Sequence, residues 1–138
     1  MKITRRFEFD AGHRVKGHAG KCRHPHGHRY VLELHLVASG LNELGMVVDF
    51  GDIKAIVGEW IDRVADHGFI VWDQDTALLG ALDNLADSKL WIVPCNPTAE
   101  NLAALFKLKF EELFLNAFDH VTISGVTLHE TPNCRAEV

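Results

Sequence analysis

The sequence has no surplus of positive charge. Lysine and arginine together number 14 against 19 acidic residues, a net charge of -5 with neutral histidines. That argues against a general nucleic-acid or anionic-membrane surface and leaves room only for a local basic patch. No apolar run approaches the roughly 20 residues of a membrane span. The start, Met1-Lys2-Ile3-Thr4-Arg5-Arg6, has no apolar signal-peptide core, so a cytoplasmic protein is expected. Cysteine is scarce: three residues, odd in number and widely spaced, make no disulfide framework. They suit a reducing compartment, where a cysteine is free, reactive or metal-bound. There is no internal repeat, no low-complexity tract and no linker, so residues 1–138 are expected to form one domain with a real core.

Histidine, in contrast, is plentiful, with nine in 138 residues. The densest stretch is Cys22-Arg23-His24-Pro25-His26-Gly27-His28. On a strand, His26 and His28 project from the same face. His13 ends an earlier run in which Phe7, Phe9 and Ala11 share its parity. Three imidazoles with an open position form a catalytic rather than a closed metal site. Zinc suits the set best, although ligand type alone also admits copper or nickel. Cys22 lies four residues before His26. It is either a fourth ligand, which would close the site, or a nucleophile or base, since Lys21, Arg23 and His24 favour its thiolate.

Alternation of apolar and polar residues predicts a first strand over 2–11, a loop over 12–25 and a second strand over 27–38. On that second strand His26, His28, Tyr30, Leu32, Leu34 and Leu36 share the core-facing row. Turn residues fill 39–46, and Asp49 is a helix N-cap. Ile53, Ile56, Val57, Trp60, Ile61 and Val64 then give one apolar helical face. Residues 65–97 read as a long irregular connection, with a short helix near 77–79 and a short strand near 90–93 as its only candidates for regular structure. Thr98 caps a second helix running to about Ala117. A third strand covers 121–131, its parity switching near Ser124-Gly125 as at a bulge. A short fourth strand follows within 133–138.

Other chemistry-bearing residues are less distinctive. Asp66 can orient and charge-stabilise the adjacent His67, although adjacency alone does not make that bond. Glu130, read alone, is a strand carboxylate. His18, His24, His35, His120 and His129 read as surface or packing residues, with His24 the nearest to the cluster. Cys95 and Cys134 have no identifiable partner.

Taken in order, Phe9-Asp10-Ala11-Gly12-His13-Arg14, Cys22-x-x-x-His26-Gly27-His28, Val48-Asp49-Phe50, Asp66-His67, Asn96-Pro97-Thr98-Ala99-Glu100-Asn101 and Glu130-Thr131-Pro132 resemble the 6-pyruvoyl-tetrahydropterin synthase family. Within it the set is most similar to the bacterial branch, which makes 6-carboxy-tetrahydropterin for queuosine. The gap from Cys22 to His26 favours that branch over the animal pyruvoyl-forming one, and a folate-serving branch has glutamate where this chain has Cys22. The resemblance implies an α+β tunnelling fold: a four-stranded antiparallel sheet with two helices between strands 2 and 3. It implies trimers or dimers of trimers with active sites at subunit interfaces. It implies Zn2+ on His13, His26 and His28, Cys22 as general base, and Asp66 with His67 as the second acid–base group. Glu130, helped by Thr131, would hold the pterin ring. The substrate would be 7,8-dihydroneopterin triphosphate; charge and proximity alone make Arg14, Lys21 and Arg23 candidate contacts for its phosphates. The products would be 6-carboxy-5,6,7,8-tetrahydropterin, acetaldehyde and triphosphate. The alternatives are elimination of triphosphate to the pyruvoyl pterin, or a non-catalytic zinc module closed by Cys22. The chain departs from the branch after Asp66-His67, where a longer segment to about Pro94 is expected to cover the site or alter substrate choice.

Overall fold

A computed structural model describes residues 1–138. The elements run β1 (Lys2–His13), β2 (His26–Ala38), α1 (Phe50–Ile53), α2 (Glu59–Val64), β3 (Gly68–Trp72), α3 (Thr76–Asp83), β4 (Leu90–Val93), α4 (Ala99–Leu115), β5 (Val121–Thr131) and β6 (Cys134–Glu137). A π-helical stretch, Lys54–Gly58, joins α1 to α2. Asp49 accepts from the Gly51 N–H at the start of α1, and Thr98 accepts from the Asn101 N–H at the start of α4, so both expected caps form.

The sheet has six strands in the order β4-β3-β1-β2-β5-β6, not the four expected. The four antiparallel strands are as read, except that β1 extends to His13. The difference lies in 65–97, which is not irregular. Two short apolar runs, Phe69-Ile70-Val71-Trp72 and Leu90-Trp91-Ile92-Val93, pair in parallel with each other. Gly68–Ile70 then pairs in parallel with Ala11–His13. Parallel neighbours need a crossover, and α3 supplies it. Apolar runs this short have no period that separates strand from loop, so their pairing is visible only in the fold.

Along β2 burial alternates strictly from His28 onward, with Tyr30, Leu32, Leu34 and Leu36 fully buried. The register of β2 on β5 shifts between His35 and Leu36, opposite Gly125 and Ile123, at the expected parity switch. The helices cover this inner face. Phe9 stacks on Tyr30 at 5.2 Å between ring centres and meets Phe106 of α4 edge-on at 5.6 Å. Phe106 also packs against Trp60, Trp91 and Phe110, so it joins α2, β4 and α4 in one cluster. No helix is long and apolar enough to cross a membrane.

Phe106 has no exposed surface. Phe106→Ala is expected to destabilise the protein by about 4 kcal/mol through lost burial and the cavity left behind. Denaturant unfolding of the variant against the parent measures that loss.

Candidate active site

The antiparallel register sets His13 opposite His26 and Ala11 opposite His28. Because His13, His26 and His28 all lie on the inner face, the three imidazoles converge, with ring centres 4.6, 4.9 and 5.1 Å apart. One ligand atom from each lies within 4.8 Å of the others. Two carbonyls orient the cluster. His13 Nδ1 lies 2.7 Å from the Pro97 carbonyl, and His26 Nδ1 lies 2.7 Å from the His24 carbonyl. A carbonyl only accepts, so both Nδ1 atoms carry the proton and both rings offer Nε2 as a lone pair. Nε2 of His13 and of His28 is buried with no hydrogen-bond partner. Orphaned buried nitrogens in a three-imidazole donor set fit a bound metal ion.

Burial pushes the His13 imidazole from 6.5 down to about 4; the Pro97 carbonyl opposes that shift, and His26 and His28 reinforce it. Burial also lowers His28, against the pull of Glu130. Neutral imidazoles are the form that ligates a metal.

Two clefts border His28, the one histidine of the cluster that lines either. Gly27, His28 and Arg29 line both. One cleft, of about 580 Å³, holds Glu130 and Thr131. Glu130 Oε1 lies 3.7 Å from His28 Nε2, too far for a hydrogen bond. The other cleft, of about 440 Å³, holds Asp10 and His67. Asp66 stands 2.9 Å from His67 Nδ1 and accepts the Asp10 N–H at 2.9 Å. Burial alone would raise the Asp66 carboxyl. The Asp10 N–H, the His67 ring and the Lys89 charge outweigh it and hold the group below the usual carboxylate range. His67 sits at φ 56°, in the left-handed region, where its own N–H donates to the Asp10 carbonyl at 2.7 Å.

Cys22 lies in a 3-10 turn, Lys21–Arg23, as a free, half-buried thiol. It is not among the side chains clustered within ligand distance, and it lines neither cleft. Arg14 does not stand free for a phosphate: Nε and Nη2 grip both Asp75 oxygens at 2.6 and 2.5 Å. His24 contributes its carbonyl to the site rather than its ring. His35 bridges Thr4 and Thr127 across three strands. Beyond Gly68 the longer segment contributes no lining residue to either cleft.

Three contributors went unread in the sequence. The Pro97 carbonyl orients His13, and Asn101 Nδ2 donates to the Asn96 carbonyl beside it. The Asp10 backbone grips both Asp66 and His67. The Tyr30 ring walls the cluster, 5.9 Å from His13 and 5.6 Å from His28. Backbone groups leave no side-chain signature. The ordered Asn96–Asn101 run was the one available signal for Pro97.

The family described as 6-pyruvoyl tetrahydropterin synthase matches residues 2–138. A Rickettsia felis relative named 6-carboxy-5,6,7,8-tetrahydropterin synthase is 45% identical over 139 residues, covering 100% of this chain and 99% of the relative. A Haemophilus influenzae relative of the same name is 37% identical, covering 99% and 97%. Among solved structures, an uncharacterized protein from Wolinella succinogenes has a TM-score of 0.82 at 26% identity, covering 100% and 97%. A Plasmodium vivax 6-pyruvoyltetrahydropterin synthase variant has a TM-score of 0.72 at 21% identity, covering 100% and 97%. The tunnelling fold expected from the resemblance is therefore the fold here, widened by β3 and β4.

The depressed His13 value gives a pH prediction for metal-free protein. Between pH 6.5 and about 4 the unfolded chain takes up a proton that folded His13 refuses. Stability therefore falls as pH drops through that window, by about 3 kcal/mol in all, and His28 adds in the same direction. Urea unfolding at pH 7 and pH 4.5 reads the loss; His13→Phe is expected to flatten it.

Proposed function

Because the chain belongs to the 6-pyruvoyl tetrahydropterin synthase family, we propose that it converts 7,8-dihydroneopterin triphosphate and water to 6-carboxy-5,6,7,8-tetrahydropterin, acetaldehyde and triphosphate. The observation that carries the reading is the position of His28. It belongs to a cluster of imidazoles with unpartnered nitrogens, and it lines both the cleft of Glu130 and the cleft of His67. One pterin could thus reach ligands, ring anchor and acid–base pair together. The full-length identity to relatives named for this product supports the choice of reaction.

His13, His26 and His28 would hold Zn2+, which as a Lewis acid polarises oxygens of the pterin side chain when bound. Glu130 anchors the ring. Its two oxygens can accept parallel N–H bonds from the aminopyrimidine edge, and no hydrogen bond within the chain occupies them. Thr131 flanks it in the same cleft. Cys22 takes a proton from a side-chain carbon, as a free, half-buried thiol in the turn beside Lys21 and Arg23. His67 moves the second proton at Nε2 while Asp66 fixes Nδ1. Asp66 is suited to that task because it stays ionised.

Assembly as a trimer or a dimer of trimers, with sites between subunits, is part of the proposal. β1 pairs with β3 only over Ala11–His13 and Asp10 is held by Asp66 and His67, which leaves Lys2–Phe9 without a strand partner on that side, and β6 is the opposite edge of the sheet. Such edges are ready to join from copy to copy. Three free cysteines suit a cytoplasmic setting.

Incubation of the zinc-loaded protein with 7,8-dihydroneopterin triphosphate is expected to give the carboxy pterin and acetaldehyde by mass. A pyruvoyl pterin would reassign the product, and unchanged substrate would overturn the reading. Cys22→Ala is expected to lower turnover by about 10³-fold with zinc retained. Loss of zinc in that variant would make Cys22 a ligand instead.

A further inference from the structure

The segment carrying β3, α3 and β4 is tied at one end to the loop after β1. Arg14 makes a two-pronged pair with Asp75, which is only 1% exposed and also accepts the Leu78 N–H at the start of α3. A carboxylate this buried is tolerable only when paired, and the planar guanidinium fork fixes orientation as well as distance. Lys16 Nζ donates to the Gln74 carbonyl at 2.5 Å and lies 5.6 Å from the centre of the Trp72 ring. Beyond β4, the Asn96 amide accepts from Lys16 N at 2.8 Å and donates to Lys16 O at 3.0 Å. Residues 14–16 are therefore held on several sides, and the hold passes on to Cys22. The Val15 N–H donates to the Cys22 carbonyl at 2.8 Å.

The same segment is tied at its other end to the acid–base pair. Lys89, just before β4, donates Nζ to the carbonyls of Asp62 and Asp66, at 2.8 Å each. These are carbonyls at the end of α2, where a cation is favoured and an unpaired acceptor is costly. Its backbone carbonyl accepts the Phe69 N–H at 2.9 Å. Both ties end one bond away from a side chain assigned to chemistry, and neither Asp75 nor Lys89 lines a cleft.

We infer that β3–α3–β4 is a brace: Asp75, through Arg14 and Val15, positions the turn that bears Cys22, and Lys89 positions Asp66 and His67. Asp75 and Lys89 are positioning residues that touch no substrate. The inference rests on the reading of Cys22 and His67 as the acid–base groups.

The test uses the zinc-loaded, full-length protein. Asp75→Asn keeps an acceptor for the Leu78 N–H but leaves Arg14 without its counter-charge. Iodoacetamide labelling, resolved by mass for Cys22, Cys95 and Cys134 separately, is followed beside turnover of 7,8-dihydroneopterin triphosphate. Asp75→Asn is expected to change Cys22 labelling by at least about threefold and lower kcat by about tenfold with KM nearly constant. Cys95 and Cys134 should label as in the parent, and Asp75→Glu should recover part of the loss. Lys89→Met is expected to leave Cys22 labelling alone and to move the His67 limb of the pH–kcat profile, with Lys89→Arg restoring it. The charged groups around that limb are Asp66, Asp10, Arg29 and Lys89, with His28 across the cleft.

Parental Cys22 labelling in folded Asp75→Asn, or an unmoved profile in Lys89→Met, overturns the brace. Should Asp75→Asn unfold, exposing Cys95 as well, Lys16→Met carries the same labelling test, because it removes only the exposed ties to Gln74 and Trp72. Failure of the parent to turn over the pterin, with Cys22 labelling still sensitive to Asp75, would sink the assigned reaction and leave the brace of the turn standing.

Discussion

The pairing register of β1 with β2 is the constraint on which the site depends. With His13 opposite His26, three imidazoles meet on the inner face. A slip of one residue would turn one strand's histidines outward and expose Phe9 or Tyr30 with them. The register is therefore held by the core itself, through the Phe9–Tyr30 stack and the buried leucines of β2. Function and stability use the same row of side chains.

The second requirement is orientation, and backbone carbonyls meet it. Pro97 stands 84 residues from His13, yet its carbonyl selects the tautomer that frees His13 Nε2. Leaving that nitrogen buried and unpaired costs about 1–3 kcal/mol in the metal-free fold. A metal ion held by the three imidazoles would relieve that cost. A site built so is less stable than it could be, and that is the usual cost of preorganisation.

The longer segment after His67 takes its meaning from the same view. The resemblance suggested a cover or a change of substrate. The segment widens the sheet beside β1 and grips the chain where Arg14, Lys16 and Asp66 lie. Rigid support behind a site differs from a lid over it, since support acts through geometry and leaves the clefts open.

Much of this protein was legible in the sequence because local rules govern it. Period-two alternation placed the histidines of β2 on its core face, Asp49 and Thr98 began their helices, and the parity switch near Gly125 marked the bulge. The same alternation gave His13 the parity of Phe7, Phe9 and Ala11, and the pairing of β1 with β2 set it opposite His26. The sequence could not decide whether Cys22 closes the cluster, whether Arg14 is free, or whether 65–97 has structure. Each answer depends on partners far along the chain: Asp75 for Arg14, and the edge of β1 for β3. Nor could it reveal the carbonyls of Pro97 and His24 or the backbone of Asp10, since every residue but proline carries the same backbone groups. Side-chain pattern determined which faces the histidines take. Only tertiary packing decided which backbone atoms hold them.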